Sequence, residues 1–230
     1  MLLVSEIPGA TFDSSIDPAL AESLTSPISE GMTVEPTECT KLVDISAKLA
    51  SVPTALAQIS DQSLSASISL SKQSSLYDEL TGASDGCGDV TVTADGNAVA
   101  RNELEAQNLP PEAMDFLKDM DLKSTFSVHT RPWDPQLSSS PQKVTAEESY
   151  GEGTVAGVKT NVTSYRIIGI VNGVVIAVST VPTPSADHIR MGEAGLTIEN
   201  PEISQEAKDA AKARAIEIFD AQAQKVRAAK

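Results

Sequence analysis

Tyr165-Arg166-Ile167-Ile168-Gly169-Ile170-Val171-Asn172-Gly173-Val174-Val175-Ile176-Ala177-Val178-Ser179-Thr180-Val181 is the stretch that decides the fold. Two apolar runs, Tyr165–Val171 and Val174–Val181, flank Asn172-Gly173. Both turn residues tolerate the positive φ that a tight two-residue turn demands, so the pattern predicts a β-hairpin. Each run is apolar on both faces, as central strands of a covered sheet are. From Arg166 to Val181 the stretch is too short to span a bilayer, and the turn divides it.

Working outward, the same logic finds more strands. Leu64, Ala66, Ile68 and Leu70 alternate with Ser65, Ser67 and Ser69, which predicts a half-buried strand over Leu64–Leu70. Ala55–Ile59, Val90–Thr93 and Leu122–Thr130 read as further strands. Helices are expected at Pro18–Leu24, Thr37–Leu49, Ser75–Leu80, Pro110–Asp119 and Ser204–Ala228. The last carries an apolar stripe of Ala207, Ala211, Ala215, Ile218, Phe219 and Val226, with Lys225, Arg227 and Lys230 favouring its C-terminal end. Trp133–Gly153, with Ser138-Ser139-Ser140-Pro141 and Glu147-Glu148, reads as a long polar loop, mobile or functional. Residues 1–35 form an acidic, turn-rich segment, expected as an extended, partly helical arm before a single domain over 36–230.

Hydrophobic residues make up 40% of the 230 residues and aromatics only 3%, so the core must be built from Val, Ile, Leu and Ala. That composition suits a sheet covered by helices. Net charge is −15, and residues 1–120 hold 19 acids against 5 bases. An acidic front half repels nucleic acid and anionic headgroups, so neither is an expected partner.

Cys39 and Cys87 are the two cysteines of the chain, each at an expected helix end. Neither has a second cysteine at the spacing of a redox or zinc motif, so one structural disulfide is the better reading and reactive thiols the alternative. A disulfide points outside the cytoplasm. Met1-Leu2-Leu3-Val4 runs straight into Ser5, Glu6 and Pro8, which is not a secretory leader. For an exported protein a removed leader, and a lipid-modified cysteine, are then expected upstream of residue 1.

Catalysis is not expected. His129 and His188 are the two histidines, and no nucleophile elbow accompanies them. Gly151-x-Gly153-x-x-x-Gly157 lacks the spacing of a phosphate loop and reads as flexible. Asp85, Asp89 and Asp95 form a solvated acidic turn rather than a calcium site. Asn161-Val162-Thr163 is a formal glycosylation triplet without weight. No metal or cofactor is expected. One segment stands out as a contact for a ligand or partner: Arg131-Pro132-Trp133, with the single tryptophan beside an arginine. The plain alternative is Trp133 packed on a sheet edge with Arg131 stacked on it.

Leu2-Leu3-Val4-x-x-Ile7-Pro8, Glu35-Pro36-x-x-Cys39, Gly86-Cys87 before a valine-rich strand, and Ile167–Val178 together resemble the extracytoplasmic sensor-like domains of actinobacterial cell-envelope lipoproteins. These are similar to the extracellular sensor domain of mycobacterial PknH-type Ser/Thr kinases. Those sensors carry two disulfides where this chain can form one. The resemblance implies an α+β domain with a curved antiparallel sheet covered by helices, ending in a long C-terminal helix. It also implies a lipid tether outside the cell, no enzymatic activity, and either binding of an envelope ligand, for which a lipid or glycolipid is the candidate, or sensing of the cell wall. The alternative is an accessory subunit docked on the outer face of a membrane protein complex. No binding residue carries over from the family.

Overall fold

The structure, a computed structural model, describes residues 11–13, 32–42, 54–60, 64–96, 123–155, 158–182, 189–192, 195–198 and 203–229. The expected hairpin is its centre. Strands β8 (Val158–Val171) and β9 (Val174–Pro182) pair in register from Val171↔Val174 outward. The turn takes Asn172 to φ 48° and Gly173 to φ 74°, the left-handed region that this dipeptide tolerates.

The other strands add to this pair on both sides. On one flank β4 (Leu64–Ser71) pairs with β9, then come β3 (Thr54–Ser60) and the short β1 (Thr11–Asp13). On the other flank lie β7 (Lys143–Val155), β6 (Lys123–Pro132), β5 (Asp89–Asp95) and β2 (Met32–Glu35). The result is a curved nine-stranded sheet in which every neighbouring pair is antiparallel. Its edges are β1 and β2, both from the segment expected as an arm. Strands β10 (Ile189–Gly192) and β11 (Gly195–Ile198) form a separate hairpin.

Two helices cover the two faces of the central strands. Helix α2 (Gln205–Ala228) starts at Ser204, whose Oγ accepts the Ala207 N–H at 3.1 Å. Its buried side, Ala211, Ala215, Ile218, Phe219 and Ala223, packs on Leu64, Ala66, Ile68 and Leu70 of β4 and on Tyr165, Ile167, Ile176 and Val178 of the hairpin. The helix approaches closely because Gly169 lies beneath it: a Cβ there would stand 2.6 Å from Phe219 Cζ and 3.0 Å from the Lys143 carbonyl. Thr180 Oγ1 donates to the Ala211 carbonyl at 3.0 Å, tying helix to sheet in the buried layer. On the opposite face α1 (Ser75–Gly82) sets Leu76, Tyr77 and Leu80 on Ile168 and Val175.

A third cluster sits at the β5 end. Cys39, buried in a 3-10 turn (Thr37–Thr40), is bonded to Cys87, with Cα atoms 5.7 Å apart and a sequence separation of 48. Val34 and Val90 pack around the sulfurs, with Leu42, Val92 and Val128 beside them. The disulfide reading therefore holds, and no free cysteine remains.

The largest departure from the sequence reading is β7. Trp133–Gly153 is not one loop: the loop closes by residue 142, and a 13-residue strand follows. The polar residues of β7 satisfy both faces. Glu147 accepts from Ser84 Oγ at 2.5 Å and pairs with Arg166 on the α1 side, while Glu148 turns to the α2 side. The Gly151-x-Gly153 stretch belongs to this strand, where the Gly153 position meets the Phe126 ring. Of the expected helix Thr37–Leu49, the structure describes only the 3-10 turn and the residues through 42; Pro18–Leu24 and Pro110–Asp119 lie outside the described residues.

Two substitutions test this packing. Gly169→Val should cost about 1–3 kcal/mol by forcing Phe219 off the sheet, read as a lower urea midpoint at unchanged slope. Cys39→Ser should lower the melting temperature in oxidising buffer, with a loss of about 4 kcal/mol from chain-entropy reasoning; equal melting of variant and parent would refute a stabilising bond.

Candidate functional site

Helix α2 covers β4, β9 and β8 but leaves much of β6 and β7 open on the same face. The register makes that surface a grid. Ser127, Glu152 and Asn161 lie side by side across β6, β7 and β8; so do His129, Tyr150 and Thr163; so do Arg131, Glu148 and Tyr165. Alternation puts all three rows on the α2 face. α2 closes the third row, and the first two form the floor of an open groove of about 610 Å³ whose lining includes Ile203 and Lys208.

The third row holds a buried carboxylate between two cations, Arg131 largely exposed and Lys212 partly so. Glu148 is 6% exposed. It accepts from Arg131 Nε at 3.2 Å and Nη2 at 3.1 Å, and from Lys212 Nζ at 3.1 Å. Burial by itself would raise this carboxyl; the hydrogen bonds and charges of Lys212 and Arg131 outweigh it and hold the group below its ordinary 4.5. Lys212 Nζ also lies 5.1 Å from the Tyr165 ring centre and 5.7 Å from that of Trp133. Burial first, and then the neighbouring Glu148 charge, raise the Tyr165 phenol well above its usual range, although its Oη completes no hydrogen bond with good geometry.

The loop 133–142 is clamped to the other end of α2. Asp220 accepts from the backbone N–H and the hydroxyl of Ser138, at 2.9 and 2.8 Å, and from the Ser139 N–H at 3.0 Å. Burial opposes ionisation here, but the Ser139 and Ser138 donors hold the Asp220 carboxyl below its usual range. Arg227 caps the carbonyls of Ser139 and Ser140.

In the groove, Tyr150 is 38% exposed. Its ring centre lies 5.4 Å from that of His129 and 5.1 Å from the Arg131 guanidinium carbon. His129 Nδ1 lies 2.6 Å from Asp89 Oδ1 on β5, both groups largely open to solvent. Of the aspartates read as an acidic turn, Asp89 is thus half of a surface pair. Among the described residues no group of three or more His, Cys, Asp or Glu is placed to hold a metal ion. His188 lies outside the described residues.

Arg131 and Trp133 come to the same region but not to each other. Trp133 packs edge-on to Tyr165, ring centres 6.4 Å apart, under the cation of Lys212. Arg131 stacks on Tyr150 instead. Tyr150, Asn161, Thr163 and Lys208, which line the groove, were not legible beforehand. The one available signal was the hairpin itself: once β8 is placed, extending it backwards brings Thr163 and Asn161 onto the face of Tyr165 and Ile167.

No family model matches the chain, and no curated protein does. A solved structure of an uncharacterized Mycobacterium smegmatis protein (Rv0999 ortholog) is similar at 14% identity and TM-score 0.43, over 97% of this chain and 92% of that one.

The Glu148 cluster predicts an acid limb in stability. A carboxyl with a folded pKa below its unfolded value stabilises the fold above the ordinary glutamate range, and that contribution is lost as pH falls through the folded pKa. Melting temperature measured from neutral pH downward should therefore fall through the acid range in the parent. Glu148→Gln should start lower at neutral pH, because Arg131 and Lys212 lose their partner, and should show a shallower acid decline.

Proposed function

We propose that this chain is a non-enzymatic, extracytoplasmic binding domain of the cell envelope, held at the membrane by a lipid anchor outside this sequence, with the groove beside α2 as its ligand site. The observation that carries the reading is the division of one sheet face: α2 buries the hairpin and β4, while the adjoining rows of β6, β7 and β8 line an open groove with side chains that both donate and accept hydrogen bonds. A concave, preformed site with a few convergent polar groups is the usual form of a small-molecule site. The Cys39–Cys87 bond supports an oxidising compartment. Among the described residues no helix is long and apolar enough to cross a membrane. The sequence resemblance to actinobacterial envelope lipoproteins and PknH-type sensors supports the same reading.

Docking on a membrane complex has less support. The large apolar side chains exposed among the described residues are Val144, Tyr150 and Val181. Strand alternation sends Val144 and Val181 to opposite faces, which leaves no contiguous patch between them.

The test is native mass spectrometry of the full protein purified from its own envelope in mild detergent. The proposal expects a retained small mass that Tyr150→Ala loses or weakens about tenfold. Membrane subunits co-purifying without any small mass would turn the assignment to the accessory-subunit reading.

A further inference from the structure

Resting on the groove reading above, we infer that the ligand class is a neutral saccharide, bound along the rows His129–Tyr150–Thr163 and Ser127–Glu152–Asn161. Three properties of the site lead there.

Charge is the first. Among the residues that line the groove, Lys208 stands against Glu152, one cation against one carboxylate. An anion meets no surplus of positive charge, and at longer range it meets a chain of net charge −15. A cation finds no surplus of negative charge in the groove and no aromatic cage.

Hydrogen-bonding character is the second. Lys208 only donates, Glu152 only accepts, and the hydroxyls of Ser127, Tyr150 and Thr163 do both. A row of sugar hydroxyls, each a donor and an acceptor, satisfies such a mixture. A ligand of acceptors alone would leave Glu152 facing like groups.

The third is the distribution of apolar surface. An acyl chain needs a continuous apolar trough, and here Ser127, Glu152, Thr163 and Lys208 interrupt it. What remains on the floor is the partly exposed Tyr150 ring with the His129 imidazole beside it. That provides a surface for the C–H face of a pyranose while the hydroxyls at its rim reach the polar row. The volume of about 610 Å³ and the open mouth suit a short oligosaccharide threading along the sheet rather than an enclosed monosaccharide.

The experiment is a ¹⁵N–¹H titration of the full chain with chitotetraose, maltotetraose and galactotetraose as neutral probes, tetragalacturonate as the anionic one and monomeric dodecylphosphocholine as the acyl one. The inference expects amide shifts at Ser127, His129, Asn161 and Lys208 with at least one neutral tetrasaccharide at millimolar concentration. Tyr150→Ala and Lys208→Ala, both at solvent-accessible positions, should each weaken that binding about tenfold with an otherwise unchanged spectrum. Groove shifts with tetragalacturonate alone would overturn the neutrality of the ligand, shifts with dodecylphosphocholine alone would overturn the saccharide class, and both would keep the groove as a ligand site. No groove shift with any neutral probe overturns the neutral-saccharide class as well; whether the groove reading itself then stands is decided separately by the retained mass in the native spectrum.

Discussion

A strand pair that is apolar on both faces cannot be stable under a single layer. Ile168 and Val175 face one way, Ile167, Ile176 and Val178 the other, and all five are essentially inaccessible. Burying such side chains contributes roughly 1.5–3 kcal/mol each, which is lost wherever a face stays wet. The hairpin therefore requires two covers. Helix α1 supplies one with three side chains; α2 supplies the other over a much longer contact and extends it to β4. The remaining strands find their places by pairing outward from this covered centre.

The cover on the α2 side stops at a defined line, the row Arg131–Glu148–Tyr165. One carboxylate between two cations, roofed by helix and floored by aromatic rings, is a costly thing to bury unless every lone pair is engaged. Here Arg131 comes from β6, Glu148 from β7 and Lys212 from α2, so the cluster joins three elements. On one side of it lies a packed core, on the other a wet groove. That boundary gives the groove a rigid wall, since Lys208 and Lys212 stand one helical turn apart on the same face of α2.

The parts of this arrangement that were legible in sequence are those governed by strong local rules: Asn-Gly between two apolar runs, strict alternation in Leu64–Leu70, and an apolar stripe ending in basic residues. The expected strands Ala55–Ile59, Val90–Thr93 and Leu122–Thr130 also match observed ones within a few residues at each end. Strand β7 was illegible because its residues are chosen by their neighbours. Glu147 and Glu148 look like loop residues until Arg166 and Ser84 on one face, and Arg131 and Lys212 on the other, are in place. The groove was illegible for the same reason. Its lining is spread over three strands and a helix, and no short window of sequence contains it. Arg131 and Trp133 both come to the Glu148 cluster, yet each found a different aromatic or cationic partner, because partner choice depends on register and not on adjacency in sequence.

The position of α2 in the chain has a further consequence. It follows every strand of the large sheet, so a chain appearing N-terminus first, from a ribosome or through a translocation pore, presents β4, β8 and β9 before the layer that covers them exists. Until α2 arrives, Thr180 lacks the Ala211 carbonyl, Glu148 lacks Lys212, and the apolar face of the hairpin meets only water. The cooperative core can close only at the end of emergence. Such an order keeps the chain loose while it is being threaded and makes it dependent, in that interval, on whatever shields the uncovered hairpin from its neighbours.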